Sequence, residues 1–216
     1  MTNYKCSLKV NVCMKILVAS PIYDKMEYCF SYFLESINSI SYPHDILLVE
    51  NSKDDKFYEK IKDQVNVIKD NSEGTNLQKV VHSRNLILDY ALKNNYDYVL
   101  MLDSDVLVPK DIIEKLLNHK KDIVSGLYYN YFNEKLLPVA WTLFTEQEFQ
   151  ELKNKYHISQ PRLEIRRHLT QEEASSNKLI EVLYPSAGCM LISRKVFDEA
   201  RKSEGTDEDI VVVYRN

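Results

Sequence analysis

Two aspartates one residue apart, Asp103 and Asp105, follow the apolar run Tyr98-Val-Leu-Met-Leu102. Carboxylates at that spacing are hard oxygen ligands suited to Mg²⁺ or Mn²⁺, which proteins hold with one or two carboxylates while water and substrate phosphates complete the shell. The chemistry this points to is a divalent-metal site for a phosphorylated or nucleotide-linked substrate. Aspartates after a strand also commonly cap a turn or the next helix, so the pair alone has a structural use as well. The run before it favours the metal. Five consecutive apolar or aromatic residues read as a strand buried on both faces, as in a parallel sheet. Both carboxylates then fall at its carboxyl end, where open α/β sheets hold their ligands. Pro109 suits the first position of a following helix over residues 110–119.

The elements that must position this pair alternate along the first 130 residues. Residues 15–20 form a short apolar strand closed by Ser20-Pro21. A helix over 27–40 carries Phe30, Phe33, Leu34, Ile37 and Ile40 on one face. Strands follow at 45–49 and 65–68, with a short helix over 55–62 between them. A long helix over 76–93 takes its apolar face from Leu77, Val80, Val81, Ile87, Leu88, Ala91 and Leu92. The strand at 98–102, the helix after Pro109 and a strand over 122–129 complete the series. Repeated β-α-β units predict an α/β fold, a largely parallel central sheet with helices on both faces. Beyond residue 130 the pattern changes. Residues 136–144 read as an extended segment with Pro138 suited to an edge, and 146–156 as a helix. Residues 157–178, polar and without a period, are expected to be a mobile loop or lid. Two apolar runs, 179–184 and 188–193, flank Pro185-Ser-Ala.

With 216 residues the chain is long enough for one sizeable core, and one domain over 14–216 is expected. Met14-Lys-Ile-Leu-Val-Ala-Ser reads as a natural start, which makes residues 1–13 an N-terminal extension. At the other end an apolar run, 210–213, is followed by only three residues, where more helix or strand is expected. A net charge of -4 gives no general attraction to nucleic acid. No apolar run reaches the roughly 18 residues of a membrane span, and the start lacks the apolar core of a signal peptide. A cytoplasmic protein is expected, with peripheral contact at a membrane surface left open. Cys6, Cys13, Cys29 and Cys189 show no Cys-x-x-Cys spacing, which speaks against zinc or redox use; Cys29 and Cys189 read as core residues. Neither a Gly-x-Gly-x-x-Gly fingerprint nor a phosphate-loop Gly-Lys-Ser/Thr is present, which argues against dinucleotide oxidoreductases and phosphate-loop nucleotidases.

Taken in order, Ile16-Leu-Val-Ala-Ser-Pro-Ile-Tyr23, Ile46-Leu-Leu-Val-Glu-Asn-Ser52, Ser83-Arg-Asn85, Leu102-Asp-Ser-Asp-Val106, Ser186-Ala-Gly-Cys-Met190 and Asp207-Glu-Asp209 resemble the nucleotide-sugar glycosyltransferases of the GT-A fold, especially family 2. The resemblance covers about residues 15–210. It implies a nucleotide-binding part over about 14–130 and an acceptor part over about 131–216. Pro21 and Tyr23 would border the nucleotide base, and Glu50 would contact the base or ribose, although Glu50-Asn51 stands where the family usually has an aspartate pair. Arg84 would lie against the donor's phosphates or sugar, Asp103 would approach the ribose or sugar, and Asp105, with Asp103, would bind Mn²⁺ or Mg²⁺. Asp209 would be the base, with Glu208 beside it. The implied activity is a metal-dependent hexosyl transfer from a nucleoside-diphosphate sugar to a hydroxyl acceptor on a glycan, lipid-linked or protein partner, with inversion the expected course.

Other readings stay in view. The basic stretch Pro161-Arg-Leu-Glu-Ile-Arg-Arg-His168 could hold an anionic acceptor, although a solvated charged face is the commoner use. Trp141, Tyr128, Tyr129 and Tyr131 could stack on a sugar or simply pack. Haloacid-dehalogenase-like phosphatases also place Asp-x-Asp after a strand, but there the motif opens the fold and a Thr follows. Nucleotidyltransferases share such a sheet but use a Gly-rich, Lys-containing loop after the first strand. A non-catalytic sugar-nucleotide-binding protein is the alternative from outside the enzymes.

Overall fold

A computed structural model describes residues 14–203. In chain order the elements are β1 (Ile16–Ile22), α1 (Phe30–Asn38), β2 (His44–Glu50), α2 (Lys56–Ile61), β3 (Val67–Lys69), α3 (Asn76–Lys93), β4 (Tyr98–Leu102), α4 (Ile112–Leu117) and β5 (Ile123–Ser125). They continue with β6 (Tyr129–Phe132), β7 (Lys135–Pro138), β8 (Trp141–Leu143), α5 (Glu146–Tyr156), β9 (Arg166–His168), α6 (Gln171–Ala174), β10 (Cys189–Ser193) and α7 (Arg194–Ser203). The main sheet has the order β3-β2-β1-β4-β10-β5. Its first four strands are mutually parallel, and β10 runs antiparallel to both neighbours.

The near-continuous apolar strands follow from burial on both faces. On one face Ile16, Val18, Leu48 and Leu100 pack against Phe33 and Ile37 of α1, Phe57 and Ile61 of α2, and Ile113 and Leu116 of α4. On the other, Leu17, Ala19, Leu47 and Val99 meet Ile87, Leu88 and Ala91 of α3 and Phe197 of α7. Each such side chain taken from water stabilises by about 1.5–3 kcal/mol. α3 starts where its sequence says: Thr75 accepts from Gln78 N–H while the Gln78 side chain accepts from Thr75 N–H, a reciprocal cap. No helix among the described residues is long and apolar enough to cross a membrane.

Several local expectations need correction. Leu77 is 74% exposed and joins neither core cluster, where the sequence pattern put it on the apolar face. Pro109 precedes α4 instead of opening it, and its carbonyl accepts from Ile112 N–H. The single strand expected over 122–129 is two elements: β5 ends at Ser125, and a hairpin starts at Tyr129, turning through Asn133 and Glu134 at φ of 47° and 65° as a two-residue hairpin turn requires. Residues 157–178 are not a bare loop. β9 pairs with β8, Thr170 and Glu173 cap α6 reciprocally, and Arg167 joins Glu173 at 2.7 Å and Glu148 of α5 at 3.2 Å. The run 179–184 forms no strand; its one ladder-like contact is Trp141 with Tyr184.

Candidate active site

Because β2, β1 and β4 are adjacent and parallel, their carboxyl ends open side by side on one rim of the sheet. A cleft of about 300 Å³ sits there, lined by Pro21, Ile22 and Tyr23 from the end of β1, Asn51 after β2, Val80 and Arg84 from α3, and Asp103 and Ser104 after β4. Arg84 reaches the cleft from the third turn of α3, on a helix face shared with Val80 and Ile87. Its Nη2 donates to Asp103 Oδ1 at 2.7 Å, and its Nε is buried with no hydrogen-bond partner among the described residues.

Asp103 is held from its main chain. Its N–H donates to Gly188 O at 3.0 Å, and its carbonyl accepts from Val106 N–H at 3.0 Å, closing a tight turn that leaves Asp105 exposed. Gly188 permits the approach: a Cβ there would stand 2.5 Å from Tyr128 Oη and 2.8 Å from Asp103 Oδ2. Burial pushes the Tyr128 phenol above its ordinary value, and the negative charges of Asp103 and Asp105 push it further. Tyr28 is raised too, chiefly by the Cys29 thiol and to a lesser degree by Asp105 and Tyr23. No cluster of three or more His, Cys, Asp or Glu side chains arranged to hold a metal occurs among the described residues. Two carboxylates on one turn at the cleft are the donor set of a hard ion whose remaining ligands are water and phosphate, and to that extent the residues fit Mn²⁺ or Mg²⁺.

Pro21, Tyr23, Arg84 and Asp103 thus line one cleft; Asp105, exposed on the turn after β4, is not among the residues lining it. Glu50 lies below it, fully buried, with Oε2 2.7 Å from Lys69 Nζ and Oε1 accepting from Ser52 N–H at 2.8 Å. Its neighbour Asn51 is the residue that lines the cleft. Asp209 and Glu208 lie outside the described residues. The basic stretch is taken up internally: Arg162 donates to Phe144 O, Arg166 lies over the Tyr184 ring, and Arg167 is paired with acids on two helices. Trp141 packs against Phe132 and His168. Burial pushes the Cys189 thiol up to about 11, with a smaller push from the Asp103 charge, and Cys189 is the core residue expected. Sequence reading did not find Asn51, Ser83 and Asp70, which form a hydrogen-bonded chain behind the cleft wall. The available signals were the position of Asn51 after Glu50 and of Ser83 before Arg84.

The fold is similar to solved glycosyltransferase and nucleotidyltransferase structures. TarS of S. aureus is 21% identical over 51% of this chain and 21% of its own, with a TM-score of 0.39. The mannosyltransferase PcManGT from Pyrobaculum calidifontis, solved with GDP-Man and Mn²⁺, is 13% identical over 92% of this chain and 50% of its own, with a TM-score of 0.48. A 4-diphosphocytidyl-2C-methyl-D-erythritol synthase is 12% identical over 89% and 82%, with a TM-score of 0.48. The chain thus spans about a fifth of TarS and half of PcManGT. No curated protein sequence matches it. The profile of the Anp1 family matches residues 76–192, from the first residue of α3 into β10, and so takes in Arg84, Asp103, Asp105, Tyr128 and Gly188. With more than half of its length matched, the chain belongs to the Anp1 family, a family of GT-A-like glycosyltransferases.

Proposed function

We propose that this protein transfers a hexose from a nucleoside-diphosphate sugar to a hydroxyl acceptor, with Mn²⁺ or Mg²⁺ held by Asp105 and Asp103. The observation that carries this is that a guanidinium, paired with the first aspartate of an Asp-x-Asp turn, lines the same cleft as Pro21, Tyr23 and Asn51. A diphosphate needs both kinds of partner. Arg84 commits one amino group to Asp103, and the planar fork of its guanidinium suits phosphate oxygens. Pro21 and Tyr23 would border the base. The full burial of Glu50 supports a role in fixing the strand end from which Asn51 enters the cleft. When bound, the metal would supply Lewis-acid stabilisation of the leaving diphosphate.

On this reading the nucleotide part spans about 14–130 and the acceptor part about 131–216. Asp209, with Glu208 beside it, would take the proton from the acceptor hydroxyl, with inversion at the sugar carbon. The acceptor would be a glycan, a lipid-linked molecule or a protein, reached in the cytoplasm or at a membrane surface. A thermal-shift panel of nucleotide sugars with and without Mn²⁺ tests the donor site. A ligand at about 100 times its dissociation constant stabilises by roughly 2.7 kcal/mol. The reading fails if no nucleotide sugar raises the melting temperature. Metal-dependent donor hydrolysis without an acceptor separates a transferase from a protein that only binds.

A further inference from the structure

Three side chains behind the cleft wall are joined in series. Asp70, which follows β3 and is 2% exposed, accepts at Oδ1 from Ser72 N–H and His82 Nδ1, both at 2.9 Å, and at Oδ2 from Ser83 Oγ at 2.7 Å. Ser83, fully buried on α3, is in turn 2.9 Å from Asn51 Nδ2. A hydroxyl has one proton to donate, and an ionised carboxylate can only accept. Burial alone would raise the Asp70 carboxyl, but the hydrogen bonds from Ser83, Ser72 and His82 outweigh it and hold the group ionised, below its ordinary value. Ser83 therefore gives its proton to Asp70. The part of Asn51 that faces Ser83 must then be a donor, so the amide nitrogen points inward and the carbonyl Oδ1 is the end left for the cleft. This orientation follows from counting protons. Asn51 is 8% exposed and lines the cleft, and its Oδ1 has no hydrogen-bond partner among the described residues.

We propose that Asp70, acting through Ser83, is a positioning residue that presents Asn51 Oδ1 to the nucleobase and so favours bases whose ring edge carries an N–H over bases that present a bare ring nitrogen there. The proposal rests on reading the cleft as a nucleoside-diphosphate site. Uracil and guanine carry a ring N–H on that edge; cytosine and adenine present a lone pair, which would oppose the lone pairs of Oδ1. Elsewhere an asparagine could turn over to suit either kind of base. Here turning it would set Oδ1 against a Ser83 oxygen whose proton is already committed, and a buried acceptor would be left unpaired.

The test is calorimetric binding of UDP, CDP, GDP and ADP, with Mn²⁺, to the full chain. UDP is compared with CDP and GDP with ADP, so that ring size cancels within each pair. In the better-bound pair the N–H-bearing base should bind on the order of tenfold more tightly, as expected for one buried polar group left unmatched. Ser83→Ala, and separately Asp70→Asn, release the amide, and the ratio should fall to about threefold or less, or reverse. Damage to the fold alone would weaken all four ligands together and leave the ratios in place. Should Asp70→Asn not fold, the wild-type ratios and Ser83→Ala still decide. Wild-type ratios near one, or a ratio unmoved in the variants that fold, would overturn the proposal while leaving the transferase reading intact. Failure of the wild type to bind any of the four would remove the nucleotide reading and this proposal with it.

Discussion

The α-carbon of Gly188 and the carboxylate of Asp103 are so close that a single methyl on the glycine would lie 2.8 Å from Oδ2. The same methyl would lie 2.5 Å from Tyr128 Oη, so Gly188→Ala has to displace a half-buried ring or the carboxylate itself. Overpacking of this kind costs about 1–3 kcal/mol. Denaturant unfolding should show that loss, and metal-dependent nucleotide binding should weaken beyond what the lowered stability explains. A variant unchanged in both would mean the contact yields freely.

Asp105 is exposed and sits on a turn outside the core, so Asp105→Ala should alter stability by no more than about 0.5 kcal/mol. Mn²⁺-dependent binding of a nucleoside diphosphate should nonetheless disappear. Undiminished metal-dependent binding, read by calorimetry, would remove Asp105 from the proposed metal site.

Arg84→Ala separates phosphate contact from a structural pair. Hydrogen bonds to charged groups contribute about 1.5–3 kcal/mol, so a nucleoside-diphosphate sugar should lose roughly that much affinity. The bare nucleoside should lose little. Equal losses would return Arg84 to a purely structural partnership with Asp103.

The ties within residues 157–178 should be visible in acid. The Arg167 guanidinium, with help from Thr170, holds Glu173 down at about 2, against an ordinary 4.5. A lowered folded value contributes stability that is present above pH 4.5 and is lost as pH falls towards 2. Partial exposure of the pair limits its size. Trp141, the single tryptophan, packs on His168 beside Arg167 and reports locally. Its emission should shift as pH falls from 4.5 towards 2 in the wild type. In Glu173→Gln that acid transition should be smaller, the remainder belonging to Glu148, whose carboxyl Thr145 and Arg167 also hold below its ordinary value; the same titration in both proteins would refute the assignment.

Asp209, proposed as the base from sequence resemblance, is tested by Asp209→Asn. Donor affinity should be kept while turnover falls by about 10²- to 10⁴-fold. Sugar transfer at the wild-type rate would place the base elsewhere.

What the sequence revealed follows from how local each signal is. The strands at Ile16–Ile22 and Tyr98–Leu102 and the helices at Asn76–Lys93 and Glu146–Tyr156 are written in continuous apolar runs, helical period and reciprocal caps. These place Pro21, Arg84 and Asp103 at one rim. Pairing between distant segments left no such mark. Nothing in Cys189–Ser193 says that it runs antiparallel between two parallel strands, and the charged stretch around Arg167 reads as solvated until Glu148 and Glu173 close around it. Tyr128 reads as a stacking ring until the fold sets both its hydroxyl and the Asp103 carboxylate against Gly188. The chain of Asp70, Ser83 and Asn51 was hidden for the same reason, since its members lie on three different elements of the chain.

The placing of β10 also sets a timetable. Among the described residues it is the last strand of the main sheet to be synthesised, yet it lies between β4 and β5. Until it emerges, β4 has an open edge beside the rim, β5 has no neighbour in the sheet, and Asp103 N–H lacks its acceptor at Gly188. A nascent chain can therefore assemble β3, β2, β1 and β4 early, but its Asp-x-Asp turn acquires the Gly188 contact only once β10 has emerged. Such long-range insertion is slow, and an unpaired edge invites association with other chains. Ribosome-bound intermediates ending before residue 189 should aggregate more readily than the finished protein, which makes completion of the sheet and readiness of the cleft a single event in the life of the chain.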